Sequence, residues 1–540
     1  MRLLILIICF IMFLTGCGEA PPLSKSTATS EVAENTPDMS PAYGDCIIDT
    51  ISSNPATLNP LTATESDAQW VIGLIYNCLV KKDGNDEWAG DLAERWEQTG
   101  EGKILTFHLK PGVKWHDGVG FNAEDVLFTY QKILDKSSEC YFSDIFTHID
   151  TVEVLDPLTI RITYDTPYAP ALSQWWFTII PKHILEKEDL TTEHWNRSPI
   201  GTGPFRFSEW IPDERIILNA NDDYFDGKPF LRQYIIRITP DESMKFLSLQ
   251  RGEIDASSLN CDQYTKHSDT EDFKKHFNIF HFPDNAFSSI AYNLALPKFQ
   301  DRRIRQALTM AIDREQIIRE INHGFGSVHA GPFSRTCWAY DETVKPLPYD
   351  PAGAKALLRE AGWKETGEIV FFYPYFATTK LIAALIAKCW EEIGLNVKVE
   401  SFEWTVFWDK MQKLEFEAGY FSWVGFEDPD DYSLIWETKN IPESGGNGYN
   451  FSSYKNSEVD RLFEEGRITI DPARRKEIYH KIHKIIEDEQ PYTFVESLDS
   501  IWAVDKRFHG IVPTKTGIFY NIEKWYVPAE LQRYFPKQPE

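Results

Sequence analysis

From Asp45 onward the chain alternates short strand patterns with capped amphipathic helices, and no segment recurs at a fixed period. That alternation restricts the fold to a mixed α/β body and excludes solenoids and propellers, which stack a repeated unit. The strand signals are clear in Cys46-Ile47-Ile48-Asp49-Thr50-Ile51, which ends in Ser52-Ser53-Asn54-Pro55. They are equally clear in Thr106 to Lys110 before the turn Pro111-Gly112, and in the alternating run Thr159 to Tyr164. The helix signals are strongest in the second half. Asp301 can cap a helix carrying Ile304, Ala307, Leu308, Ala311 and Ile312 on one face, and Asp313 with Gln316 starts another. Asp350-Pro351 and Asp471-Pro472 open two more. The first buries Ala354, Leu357, Leu358 and Ala361 and stops at Gly362; the second buries Ile478, Ile482, Ile485 and Ile486.

The length of 540 residues implies two to four domains, and a formal charge of −27 disfavours any partner held by phosphate neutralisation, nucleic acid first of all. The residue content is that of a packed globular protein except for one excess: aromatics reach 14%, a surplus suited to a groove that binds by stacking and apolar contact.

The N-terminus reads as a leader. Arg2 is followed by an uncharged run from Leu3 to Gly16 that is short for a membrane span, as in a secretory signal. Leu14-Thr15-Gly16-Cys17 resembles the bacterial lipobox, which implies cleavage after residue 16 and acylation of Cys17. Residues 17–44 are rich in Ser, Thr, Pro and acid without apolar periodicity, the composition of a flexible tether. The expected location is therefore extracytoplasmic, lipid-anchored to a bacterial membrane, in the periplasmic space or on the outer face of the cell. Beyond Cys9 and Cys17 lie Cys46, Cys78, Cys140, Cys261, Cys337 and Cys389, whose wide spacing allows up to three disulfides and fixes none. No Cys-x-x-Cys or Cys/His cluster suggests zinc, and no metal or cofactor is expected.

Several stretches, taken in order, resemble the family 5 extracellular solute-binding proteins of ABC transporters. They are Phe107 to Gly118 (FHLKPGVKWHDG) followed by Asn122 to Val126, then Gly201-Thr202-Gly203-Pro204-Phe205, and Gly252-Glu253-Ile254-Asp255. Further on come Asn293, Arg302 to Leu308, Ala311 to Arg314, and Leu357 to Trp363. The resemblance spans about residues 45–525. It implies an α/β, two-lobed periplasmic-binding-protein-like fold of type II, cluster C, with an extra α/β domain. Mapped onto this chain, lobe I comprises 45–75, 182–283 and 491–540, the additional domain 76–181, and lobe II 284–490. It further implies a monomer that captures a peptide or related small solute by closing its lobes and hands it to a permease and ATPase complex.

Peptide-binding relatives line side-chain pockets with two Trp residues of the second lobe, and an Asp shortly after the second pairs with the peptide amine. Trp404 and Trp423 match the two Trp positions. Three residues after Trp423, past Gly425, the expected Asp is replaced by Phe426 in a shortened loop. An ammonium in a closed cleft needs a carboxylate, and Glu427 is the first candidate, Asp428 the second. If neither serves, an oligosaccharide or another neutral solute becomes the ligand. The bland reading of the acidic run 427–431 leaves Asp430 and Asp431 in a solvated loop. Ser53, Asn54 and Thr57 after the first strand, and Tyr373 and Tyr375 after a second-lobe strand, are further lining candidates by position. Enzymatic readings have little to stand on: a glycoside hydrolase needs two opposed carboxylates that no spacing isolates, and no hydrolase, zinc-protease or phosphate-loop motif occurs. His480 and His483 lie off the Ile stripe of their helix and are expected to face solvent.

Overall fold

A computed structural model describes residues 39–138, 140, 146–187, 193–363, 368–442, 448–515 and 517–534. The leader, Cys17 and most of the tether lie outside the described residues.

Among the described residues five sheets organise the chain. In the first, Cys46–Ile51 pairs in parallel with Gln233–Ile238, which continues antiparallel into Arg215–Ala220 and Phe205–Ile211. A three-stranded sheet places Asp499–Asp505 between Ala256–Ser258 and Phe277–Pro283. The inserted segment forms a four-stranded antiparallel sheet from Ala93–Thr99, Ile104–Leu109, Thr159–Tyr164 and Ile149–Asp156, and a small hairpin, Val80–Lys82 with Trp88–Gly90. The largest sheet has six strands in the order Ser327–Val328, Tyr492–Ser497, Ala286–Tyr292, Ala418–Val424, Glu368–Pro374 and Asn396–Phe402.

Burial follows the patterns that announced these elements. Thr159–Tyr164 alternates half-buried and buried residues on the period of two that a one-sided strand requires. The Asn122 side chain accepts from the Glu124 N–H at 2.8 Å, while the Asp125 side chain accepts from the Asn122 N–H at 3.0 Å, closing a capping box on Ala123–Leu134. Asp301, Asp350 and Asp471 cap Arg302–Met310, Pro351–Glu360 and Pro472–Glu489 with a side chain that accepts from a first-turn N–H, without the reciprocal bond.

The apolar core is divided along the same lines. One continuous cluster joins Ile47, Leu74 and Leu218 of the first sheet region to Phe107, Ile160 and Trp175 of the inserted segment, so that segment shares its core with the first lobe. Two further clusters cover opposite faces of the six-stranded sheet, around Phe287, Phe421 and Trp436 on one side and Ile290, Phe371 and Trp390 on the other. The chain passes between these bodies twice, at Asp284-Asn285 and at Leu498, and the Asp284 N–H donates to the Leu498 carbonyl at 3.0 Å. Tyr492–Ser497, assigned from the sequence to lobe I, is instead a strand of the six-stranded sheet. The reason is the single residue Leu498, which lets two consecutive strands belong to different sheets.

Cys46, Cys78, Cys261, Cys337 and Cys389 are free thiols, where the sequence allowed disulfides and fixed none. Two sequence expectations change. His483 is 0% exposed: Pro472–Glu489 is covered on a wider face than its Ile stripe, and the imidazole packs against Phe333 and Tyr340 while Nδ1 accepts from the Asp341 N–H at 3.1 Å. Only its neighbour His480 reaches solvent, and that ring stands 3.5 Å from Asp341. Asp430 is buried rather than solvated because Arg467 meets it at 2.8 Å.

Candidate functional site

Glu368–Pro374, Asn396–Phe402 and Ala418–Val424 run parallel, so their carboxyl ends open on one edge of the six-stranded sheet. Ala286 pairs with Val424, which puts both crossings to the first lobe at that same edge. Ligands of α/β sheets settle beyond the carboxyl ends of strands, where loops and not side-chain layers fill the space. Tyr375, Trp404 and Gly425 stand there, one on each strand's exit.

The sequence candidates separate at this edge. Trp404 opens the helix Trp404–Gln412, is 43% exposed, and stacks on Trp408 at 5.4 Å. Trp423 is 7% exposed and packs within the second-lobe core against Phe421, Trp408 and Phe451. Tyr375 is 58% exposed, whereas Tyr373 is core. Ser53 and Asn54 are occupied locally: Ser53 Oγ donates to Asp67 at 2.7 Å, and Asn54 Oδ1 accepts from Trp210 Nε1 at 3.0 Å. Thr57 Oγ1 accepts from the Asn59 N–H at 3.0 Å. Asp428 is held by Arg475 through contacts of 2.5 and 2.8 Å and caps the following turn, so its carboxylate faces protein rather than cleft.

Two of the cavities among the described residues touch the crossing at Asn285: the larger lies on the first body and reaches the crossing at Asp284 and Asn285, and the smaller lies between the two bodies. The larger, of about 580 Å³, is walled by the helix Ser66–Ile75 and the residues after it, by the crossing at Asp284-Asn285, by Ser500 and Trp502, and by Thr514 and residues within 517–523. Its volume is in the range that encloses a small organic ligand. The smaller, of about 20 Å³, is formed by Lys82 and Asp86 of the hairpin turn, by Thr336, Cys337 and Trp338, and by Phe426 and Glu427. Asn285 belongs to both walls. Of the ligand-lining candidates named from the sequence, Glu427 is the one these walls include.

Asn285 fixes the loop that carries Glu427. Its carbonyl accepts from the Gly425 N–H at 2.7 Å, its Nδ2 donates to the Gly425 carbonyl at 3.2 Å, and its Oδ1 accepts from Ser334 and Thr336. A β-carbon on Gly425 would stand 2.1 Å from Asn285 Oδ1, so the close approach requires glycine. Beyond this clamp Glu427 makes no ion pair or side-chain hydrogen bond among the described residues. Burial pushes its carboxyl above the usual glutamate range, against a partial pull from Lys82. Lys82 itself donates to the Asp86 carbonyl at 3.1 Å and lies 4.4 Å from the centre of the Trp88 ring.

The larger cavity has a polar floor that sequence reasoning missed. Asp91 accepts from Asn77 Nδ2 at 3.0 Å, from the Cys78 N–H at 3.0 Å, and lies 3.2 Å from Lys81 Nζ. Burial opposes the Lys81 charge, but Asp91 outweighs it and holds the ammonium above the ordinary lysine range. Trp70 and Trp502 meet Phe519 edge-on at 4.7 and 4.9 Å, giving the cavity an apolar wall. None of these residues carries a spacing signal; they converge from four separate parts of the chain. Among the described residues no group of three or more His, Cys, Asp or Glu side chains is placed to hold a metal ion.

Comparison with known proteins gives a consistent answer. The profile of the bacterial extracellular solute-binding proteins, family 5 Middle, matches residues 87–442. An oligopeptide-binding protein, AppA, of Bacillus subtilis is 30% identical over 96% of this chain and 96% of its own. Its structure in complex with a nonapeptide superposes with a TM-score of 0.77 at 27% identity, over 90% of this chain and 100% of that one. The ABC transporter substrate-binding protein CtaP of Listeria monocytogenes superposes with a TM-score of 0.82 at 26% identity, again over 90% and 100%.

Proposed function

The chain belongs to the family 5 bacterial extracellular solute-binding proteins, and we propose that it captures short peptides between its lobes and delivers them to the permease and ATPase of an ABC importer. The observation that carries this reading is Glu427: a desolvated carboxylate on the cleft edge that makes no ion pair among the described residues, in a loop clamped by a crossing residue. A buried carboxylate without a partner costs several kcal/mol, a cost that a ligand ammonium removes on binding. Because the Glu427 loop and the Lys82 hairpin belong to different bodies, an ammonium between them would be complete only in the closed form. The likeness to an oligopeptide-binding protein supports the same ligand class.

In this reading lobe I, with the additional domain 76–181, closes on lobe II, and the return crossing lies at Leu498 in place of the expected boundary at 491. The protein works as a monomer tethered by acylated Cys17 to the outer side of the membrane. One experiment tests both parts. Full-length protein expressed with its leader in rich medium should partition with the membrane fraction. Released into native mass spectrometry, it should carry co-purified masses that fragment as peptides. Hexose ladders, or a cleft that stays empty and shows no thermal shift with peptides, would refute the ligand class; a soluble, unacylated product would refute the anchor.

A further inference from the structure

The cleft walls hold more acid than base. The larger cavity sets Lys81 against Asp91, Asp284 and Glu523, and the smaller sets Lys82 against Asp86 and Glu427. Lys81 is already taken by Asp91 at 3.2 Å. Asp86 has Lys82 at 3.9 Å and the pull of Lys515, Glu427 has only the pull of Lys82, and Glu523 has that of Lys81 and of the exposed Lys524, which lies 3.7 Å away and divides its charge with Asp226. Burial raises the carboxyl pKa at each of the four, Asp86, Asp284, Glu427 and Glu523, so each is short of compensating charge. A second observation points into the same space: Tyr76 is buried in the wall of the larger cavity, and its hydroxyl has no hydrogen-bond partner. Around these groups Trp70, Trp502 and Phe519 present the ring surface on which a cationic side chain can rest.

Resting on the peptide reading above, we infer that this site selects basic peptides, whose Lys or Arg side chains meet Asp284 and Glu523 while the α-amine meets Glu427. One ammonium satisfies one carboxylate; a neutral peptide closing over the remaining ones would leave them desolvated and unpaired. An acidic side chain would add a like charge to a closed space, where screening by salt is weak.

The test is calorimetric titration of the full chain, freed of ligand, with Lys-Ala-Lys, Ala-Ala-Ala and Glu-Ala-Glu at about 0.15 M salt. The basic peptide should bind at least about tenfold tighter than the neutral one, and the acidic one at least about tenfold weaker. Glu523→Gln and Asp284→Asn, made separately so that one folding failure does not end the test, should each narrow the gap between the basic and neutral peptides. Equal affinities, or a preference for the acidic peptide, overturn the inference and leave peptide binding standing. So does a basic preference that survives both substitutions, because it then reflects the net charge of the whole chain. If none of the three binds, the inference and the reading beneath it fall together.

Discussion

Glu427 lies where chemistry, and no motif, selects the residue. Its backbone is positioned by Gly425 and Asn285, and its carboxyl is raised above its ordinary range by burial. Replacing it with Gln keeps the volume and removes the charge. Glu427→Gln should therefore weaken peptide binding by at least about tenfold, about 1.4 kcal/mol, in calorimetric titration at neutral pH. The pH dependence has a definite sign. Wild-type affinity should fall on acidification through the raised Glu427 pKa, because the protonated acid no longer pairs with an ammonium, whereas the variant should lack that component. Unchanged affinity in the variant would remove Glu427 from the site. The need for a carboxylate near this point was legible once Phe426 was seen to replace the family's Asp. That Asp428, one residue further, is committed to Arg475 was not legible, because Arg475 is 47 residues away.

At the scale of elements, the loop after Ala418–Val424 is fastened to the helices behind it by two buried ion pairs, Asp428 with Arg475 and Asp430 with Arg467. Arg475 also donates to the Gly466 carbonyl at 3.1 Å and lies 5.4 Å from the centre of the Trp338 ring, a residue of the smaller cavity wall. Removing one partner of such a pair leaves the other charge buried. Arg475→Leu should lower unfolding free energy by about 3–5 kcal/mol in urea denaturation, and adding Asp428→Asn should recover part of the loss. A cost below about 1 kcal/mol would mean that water already compensates Asp428. The helices were readable from the Asp-Pro starts and apolar spacing. The burial of His483 was not, since a helix covered by neighbours on two sides hides residues that a single stripe leaves outside.

For the whole molecule, buried acids dominate the response near neutrality. Burial pushes Asp255, Glu487 and Glu496 to about 7, well above their unfolded values, so the folded chain binds more protons than the unfolded one as pH drops from 8 toward 6.5. Stability should rise over that interval. Below about 6.5 the buried His116 and His483, lowered to about 4, begin to bind protons in the unfolded chain first and oppose the trend. Thermal denaturation of the unliganded protein should show its midpoint climbing from pH 8 to 6.5, with a smaller climb in Glu496→Gln; a midpoint that falls over that range would contradict this. At this scale the sequence alone determined the α/β class, the helix starts and the family, because these rest on local periodicity and on motifs that keep their order. The tertiary structure alone decided which acids are paired and which face the cleft. It also decided that the inserted segment shares the first lobe's core, and that the return strand Tyr492–Ser497 belongs to the six-stranded sheet. The physical reason is that desolvation and ion pairing depend on distance in space: Lys81, Asp284 and Glu523 reach one cavity from distant stretches of the chain, and Glu427 meets the Lys82 hairpin only where two separately built bodies face each other.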